Sequence, residues 1–514
     1  MSAEVEAGDV LSKTINRIKK DIFVYGPALL IPALLNLFST SVYTRIFSPD
    51  SYGDYALLLS TALLMTTLVS QWMQQSVQRY RPLYKSRDEL GDFNAKLRNV
   101  LVGIMLLVLA LGAAAYPLVQ AYSNMTTAVY ACVLLLIATQ TLYLVCSAVL
   151  QSDLNSKTYR KVNIAGAVLK LGLALLFIYA LYKNTLSIFI ALIATNLIVL
   201  IPMLRLTVLS RKEKATERAS FGSTLAFAKQ FAFYGFPMVG WFLGNSLLNL
   251  CDRYIIGFFY SSREVGIYIA NYSIVTSSIG LICSPLLTAA HPLFMNAASQ
   301  SGVTTKQFEK LITMFSKVLL LFTIPIVGFV TVYRYEICRI LLGEAYTEGA
   351  LLIPLALVSV LLWNLSMYGH KGYEVREKTR WMLVFVLTSA VVNTALNFLL
   401  VPPLGYLGAA IAAIGGTFTY CFLVHINSKR FIAWRLPWAS IARAAGTTAV
   451  MAALLLLVKE FFDGGTWAQL IVGGVLAAPI YAAGLIVTKE IDLKRIAPLA
   501  KKRANKKVLE RGLE

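Results

Sequence analysis

Ionisable side chains inside long apolar runs are the residues of this chain with the clearest potential for chemistry. Lys170 lies in the middle of the apolar run over 163–182. An ammonium group so far from either end of a membrane span is costly in lipid, so it should face water or an anion. Acids are scarce in such runs, since Asp54, Asp252 and Glu264 all lie toward one end of theirs. This bias predicts a cationic interior that suits an anionic ligand.

Polar residues also recur at helical spacing within two of these runs, so that each set shares one helix face. The run over 231–258 carries the set Asn245, Asn249, Asp252 and Arg253. The run over 54–78 carries the set Gln71, Gln74, Gln75, Gln78 and Arg79. Arg45 and His291 are further candidates at the ends of their runs. Two interpretations stay open, because such residues either line a cavity or hydrogen-bond to a neighbouring helix.

The elements that must position these residues are membrane-spanning helices. The 514 residues are 57% hydrophobic and only 14% charged, whereas soluble domains carry about 25% charged residues. A bilayer core requires about 20 apolar residues in helical conformation. About fourteen runs meet this requirement, which predicts an all-α polytopic membrane protein. The predicted spans are 23–45, 54–78, 99–119, 127–150, 163–182, 186–208, 231–258, 265–291, 312–333, 349–369, 381–401, 406–428, 440–458 and 467–488.

The distribution of Lys and Arg predicts how these spans are oriented. The chain carries a net charge of +21, and most of its 47 basic residues fall in alternate loops and in the two tails. Basic loops face the cytoplasm in membrane proteins, so both termini are predicted to be cytoplasmic. The basic residues form no separate folded domain, which argues against nucleic acid as a partner. The expected location is the bacterial inner membrane, with membrane lipids as neighbours.

An internal repeat divides the predicted spans into two similar groups of six. Tyr52-Gly53-Asp54-Tyr55 and Val265-Gly266-Ile267-Tyr268 open the second and eighth spans, 213 residues apart. Repeats separated by six helices have parallel topology and are common in transporters. The prediction is two pseudo-symmetric six-helix lobes and two further C-terminal helices. A water-accessible cleft between the lobes is expected to be lined by Lys170, Arg253 and the glutamine set of the second span. The predicted segments are an N-tail over 1–22, an N-lobe over 23–208, a basic linker over 209–230, a C-lobe over 231–428, helices 13 and 14 over 429–488, and a C-tail over 489–514.

Three segments resemble the polysaccharide transporters, or Wzx-type flippases, of the multidrug/oligosaccharidyl-lipid/polysaccharide (MOP) superfamily. Residues 252–257 (DRYIIG), followed by the 265–268 motif, are similar to the family's hairpin between spans 7 and 8. Residues 341–346 (LLGEAY) are similar to its entry to span 10, and residues 397–402 (NFLLVP) to its hairpin between spans 11 and 12. The ordered set and the helix count extend the resemblance over essentially the whole chain.

The resemblance implies a V-shaped, two-lobed transporter that works by alternating access. Its expected substrate is an undecaprenyl-pyrophosphate-linked oligosaccharide, as in the assembly of O-antigen, lipopolysaccharide or exopolysaccharide. A polysaccharide polymerase and other assembly components are further expected partners. The resemblance also implies that four of the charged candidates line the cavity, namely Arg45, Lys170, Asp252 and Arg253.

Other functions make different demands on the sequence. A lipid II flippase would share the cationic cavity, and this alternative stays open. A multidrug antiporter would require a carboxylate in the first lobe, where the first span has none. A membrane glycosyltransferase would require a catalytic centre in a large external loop, and the loops are short. No catalytic residue, metal or cofactor is expected. Proton or sodium coupling stays open, with Asp252 the best-placed acid, although an ion pair with a basic neighbour is the favoured role for it.

Overall fold

The computed structural model describes residues 30–122, 125–153, 155–181, 183–209, 220–299, 304–462 and 464–490. The predicted N-tail, nearly all of the predicted C-tail and the first half of the predicted basic linker lie outside these residues. The division into two lobes at the predicted boundaries remains a prediction.

The described chain is helical almost throughout, and the described part of each predicted span lies on a helix. Residues 23–29 of the first predicted span lie outside the described residues. The helices of the first half are α1 (described over 30–46), α2 (Pro49–Ser86), α3 (Leu90–Tyr122), α4 (Thr127–Ser152), α5 (Ser156–Ala180) and α6 (Leu186–Leu206). The remaining helices are α7 (Phe221–Phe259), α8 (Ser262–Ser299), α9 (Thr305–Val332), α10 (Arg334–Leu341), α11 (Leu352–Gly369), α12 (Lys371–Val375), α13 (Thr379–Leu404), α14 (Tyr406–Ser428), α15 (Trp438–Phe461) and α16 (Thr466–Val487). A 3₁₀ turn over Glu344–Gly349 joins α10 to α11.

Twelve of the described helices are long and apolar enough to cross a bilayer. The polytopic all-α fold is therefore confirmed. Several helices begin where the sequence offers an N-cap. Ser48 accepts a hydrogen bond from the backbone of Ser51, with Pro49 as the first helical residue of α2. Thr304 and Gln307 form a reciprocal capping box at the start of α9.

Helix α2 is the element that connects the two halves of the bundle. It packs against α4 within the first half and against α7 and α8 of the second half. Around it, α6 packs against α4 and α5, while α14 packs against α11 and α13. Helices α15 and α16 form an outlying pair that attaches through α9. We call the end of the bundle with the α1–α2 and α7–α8 turns the hairpin face, and the opposite end the basic face.

Candidate functional site

A cavity of about 410 Å³ lies among α1, α4, α5 and α6, entirely within the first six helices. We call it the four-helix cavity. It lies near the middle of α4, α5 and α6. Its polar lining consists of Asn36, Ser39, Gln140, Tyr143, Asn163, Lys170, Thr195 and Asn196. The location differs from the predicted cleft between the two halves.

Lys170 is the charged residue among those that line the four-helix cavity. Its ammonium group forms no ion pair and no hydrogen bond with any residue that the structure describes. At a rise of about 1.5 Å per residue, it lies about 15 Å from the nearer end of α5. A lysine at the centre of a span costs about 2.5–3.5 kcal/mol on insertion scales, and opening onto a polar cavity offsets part of that.

Neutral amides and hydroxyl groups form the remaining polar surface of the four-helix cavity. The Tyr143 hydroxyl donates to Asn163 Oδ1 at 3.0 Å, and Asn163 Nδ2 donates to the carbonyl of Tyr159 at 2.9 Å. From α6, Asn196 Nδ2 donates to Gln140 Oε1 at 2.9 Å. These bonds fix the amide orientations and leave the Asn196 oxygen and the Gln140 nitrogen without a hydrogen bond to any described residue. The cavity therefore combines one positive charge with donors and acceptors suited to hydroxyl groups.

Arg253 lies at the contact between the two halves. From α7, its Nη1 donates to the hydroxyl of Ser60 in α2. Its Nε is buried and has no hydrogen-bond partner in the described structure. The guanidinium forms no ion pair with any described residue. Arg253 is therefore a cation without an ion pair among the described residues, on surfaces that must separate if the two halves move apart.

Asp252, the residue before Arg253, belongs to a different environment. Its carboxylate is 2% exposed and accepts hydrogen bonds from Tyr268 at 2.7 Å and Asn397 at 2.8 Å. The Cys251 thiol donates to it at 3.4 Å. The expected ion pair with a basic neighbour does not form among the described residues. Consecutive residues point about 100° apart around a helix, so Arg253 faces α2 while Asp252 faces α8 and α13.

The glutamine stripe of α2 is divided among different neighbours rather than gathered in one cavity. Gln78 contacts Gln151 of α4 at 3.2 Å, whereas Arg79 lies 4.6 Å from the ring centroid of Tyr234 in α7. Gln74 bonds to Ser70 and Gln71 of its own helix. Gln71 and Gln75 are half-buried. Hydrogen bonding within and between helices thus accounts for part of this stripe.

The other predicted residues are dispersed. Arg45 donates to Ser41 and to the carbonyl of Ile340, so it joins α1 to α10 at the hairpin face. Asn249 donates to the carbonyl and side chain of Asn245 in the preceding turn of α7. The side chain of His291 lies outside the described part of the structure.

Beside Lys170, which was predicted, the structure identifies cavity residues that were not predicted from the sequence. Asn163, Gly166, Ala167 and Lys170 fall at i, i+3, i+4 and i+7 of α5, and all line the four-helix cavity. That spacing was a usable signal on α5 itself. The partners from α4 and α6 carry a weaker signal, because Gln140 and Asn196 lie in short polar clusters with Thr139, Thr141 and Thr195 and not in a stripe that extends along the helix.

Solved structures share this fold. The lipid II flippase MurJ in an inward closed conformation matches with a TM-score of 0.74 at 13% identity, covering 91% of this chain and 99% of that chain. An inward-facing multidrug resistance MATE family transporter of the MOP superfamily matches with a TM-score of 0.59 at 12% identity, covering 79% and 97%. At these identities the likeness shows the fold alone. The chain is thus a multi-pass helical membrane protein with the fold of the MOP superfamily.

A match to a family model assigns the chain to a narrower group of proteins than the fold does. The model described as polysaccharide biosynthesis protein matches residues 18–298, more than half of the sequence. The chain belongs to this family, and the predicted resemblance to the polysaccharide transporters of the MOP superfamily is confirmed.

One curated relative is the probable low-salt glycan biosynthesis flippase Agl15 of Haloferax volcanii. It is 21% identical over 264 residues, which is 50% of this chain and 55% of the relative. The chain therefore spans about half the length of the curated relative it matches.

Proposed function

We propose that this protein is a flippase that moves undecaprenyl-pyrophosphate-linked oligosaccharide repeat units across the bacterial inner membrane by alternating access. The units belong to O-antigen, lipopolysaccharide or exopolysaccharide assembly, and both termini are cytoplasmic. A polysaccharide polymerase and other assembly components act next to it. The family assignment, and a relative whose name describes a glycan biosynthesis flippase, support this proposal.

The observation that carries the proposal is the Arg253 guanidinium between the two halves, which forms no ion pair with any residue that the structure describes. A cation without an acidic partner is unfavourable at such a contact. An anionic group that binds there during the transport cycle stabilises it. A lipid diphosphate has the complementary charge. A multidrug antiporter would instead present a carboxylate to its cationic cargo. No carboxylate lines the four-helix cavity in the described structure, which disfavours that alternative.

Lipid II is the second candidate substrate, because the charge argument applies to its diphosphate equally. The MurJ fold is the observation that favours it. The two substrates differ in their sugars and in the cell process that consumes them. A genetic experiment therefore distinguishes the two substrates, whereas their charge does not.

Asp252 is the proposed coupling residue. It is a buried carboxylate held by neutral donors from two helices, so neither of its charge states is fixed by an ion pair. Such a group can take up a proton or a sodium ion as the halves move.

Deletion of the gene tests the proposed substrate. We expect loss of the surface polysaccharide and accumulation of lipid-linked repeat units on the cytoplasmic leaflet. Complementation with the wild type should restore export, while Arg253→Gln should restore it poorly despite normal membrane levels. Lysis with lipid II accumulation would indicate the second candidate. Normal glycans with altered drug susceptibility would contradict both flippase assignments.

A further inference from the structure

We infer that the four-helix cavity is a binding site for the diphosphate head group of a lipid-linked saccharide, with Lys170 as its phosphate-binding residue. This inference rests on the proposed function and deepens it. It places a head-group site inside the first six helices, separate from the Arg253 contact between the halves.

The charge of the cavity determines the sign of its ligand. Lys170 has no acidic partner among the described residues, and the cavity lining contains no Asp or Glu. The ammonium group cannot reach the membrane surface from the centre of α5, since a lysine side chain is much shorter than the remaining half of the helix. A buried cation in this position is matched by an anion that enters the cavity.

The neutral part of the lining indicates that the anion carries hydroxyl groups nearby. Asn36, Gln140 and Asn196 come from three different helices and face the same space as Lys170. Side-chain amides offer both donors and acceptors, which matches sugar hydroxyls. A site for a simple inorganic anion would not require this amide surface.

The size of the cavity limits what it can hold. Its volume of about 410 Å³ lies at the lower end of the range of about 300–1,000 Å³ typical of small-molecule sites. A diphosphate with the adjoining sugar fits this range, whereas a complete repeat unit and its lipid tail do not. The rest of the substrate must therefore lie outside the four helices.

Binding of farnesyl diphosphate to the full-length protein in lipid nanodiscs tests the inference. Lys170→Gln should weaken binding about tenfold or more, because one charge-assisted contact is lost. Lys170→Arg should retain most of the affinity. Lys161→Gln removes the same charge from an exposed position of the same helix and should bind like the wild type. Unfolding temperatures of the variants establish that the fold is intact, and Lys170→Met serves as a second charge-removal variant.

Three outcomes would overturn the inference. Unchanged binding in both Lys170→Gln and Lys170→Met would show that the four-helix cavity does not bind the diphosphate. Loss of binding in Arg253→Gln but not in Lys170→Gln would place the site between the halves. Equal affinity for sodium pyrophosphate and farnesyl diphosphate would assign the site to a free anion. If lipid-linked units still accumulate in the deletion strain, these outcomes leave the proposed function intact.

Discussion

The backbone of Gly53 in α2 packs directly against the backbone of Gly266 in α8 at the hairpin face. A Cβ atom on Gly53 would overlap the carbonyl of Ser262, and a Cβ atom on Gly266 would overlap the carbonyl of Pro49. Each glycine thus contacts the residue four positions before the other, and the two equivalent pairs, Gly53 with Gly266 and Pro49 with Ser262, are each 213 residues apart. The repeat seen in the sequence is realised as a pseudo-twofold crossing of two helices.

Substitution of these glycines should disturb the hairpin face. Gly53→Val or Gly266→Val forces α2 and α8 apart, because backbone atoms cannot rotate away as a side chain can. If this contact closes one side of the transporter, we expect strong loss of glycan export with normal membrane insertion. Export in the complemented deletion strain measures the effect.

Gly103→Val provides the matched control, since a Cβ atom at Gly103 meets no atom within 4 Å. It should export normally. Wild-type export by Gly53→Val and Gly266→Val together would show that the close crossing of α2 and α8 is dispensable.

Arg81 should be a major contributor to stability at the basic face. It is 3% exposed and forms two hydrogen bonds to Asp153, at 2.8 and 3.0 Å, with a third to Asn94 at 2.7 Å. Removing one partner of a buried ion pair costs about 3–5 kcal/mol, so Arg81→Ala should lower the unfolding temperature markedly. The exposed Arg87→Ala should change stability by about 0.5 kcal/mol or less. Similar unfolding temperatures for the two variants would contradict this account.

The fold and the residues of the α2–α8 crossing could be predicted from the sequence for a physical reason. A membrane span requires a long apolar run, so the runs identify the helices almost one for one. The glycines of residues 52–55 and 265–268 occupy positions where backbones meet, and only a residue without Cβ fits there. Composition and spacing therefore predict the helices and mark their closest contact.

Asp252→Asn should uncouple transport from its driving ion. The substitution preserves the shape of the side chain. The new amide oxygen accepts from Asn397 and the amide nitrogen donates to the Tyr268 hydroxyl oxygen, so the protein should fold. It removes the group that exchanges a proton or sodium ion. We expect the dependence of transport on the proton or sodium gradient to be lost in proteoliposomes. Asp50→Asn, at an exposed acid in the first turn of α2, should keep that dependence. An unchanged ion dependence in Asp252→Asn would place coupling elsewhere.

Glu490 should make the attachment of α15 and α16 sensitive to acid. Burial opposes its ionisation, but hydrogen bonds from Lys317, Ser440 and Arg443 prevail and lower the pKa of its carboxyl to about 2, from a usual 4.5. A lowered carboxyl pKa stabilises the folded state fully above the unfolded pKa. That contribution should be constant above about pH 4.5 and be lost as the pH falls toward about 2.

Thermal unfolding of the wild type and Glu490→Gln measures this effect. The difference between their unfolding temperatures should be constant from pH 7 to about pH 5 and shrink below about pH 4.5. Glu460→Gln, at an exposed position of α15, should follow the wild type at every pH. A wild-type advantage that grows on acidification would have the wrong sign for this mechanism.

The position of the candidate site could not be predicted from the sequence. A polar stripe identifies one face of one helix, but it does not say which helix lies opposite. Lys170 was therefore expected between the halves, whereas it faces α1, α4 and α6. For the same reason, Asp252 was expected to pair with a basic residue, although its partners come from α8 and α13. Tertiary packing decides these neighbours.

The most direct test of the account is the transfer of a lipid-linked saccharide between leaflets by the purified protein in proteoliposomes. The substrate is the native undecaprenyl-pyrophosphate-linked unit extracted from the deletion strain, and its exposure to an added glycosidase is followed over time. We expect rapid exposure with the wild type, slow exposure with Arg253→Gln and Lys170→Gln, and unimpaired exposure with Lys161→Gln. Equal rates in protein-free liposomes and in liposomes with the wild type would contradict it.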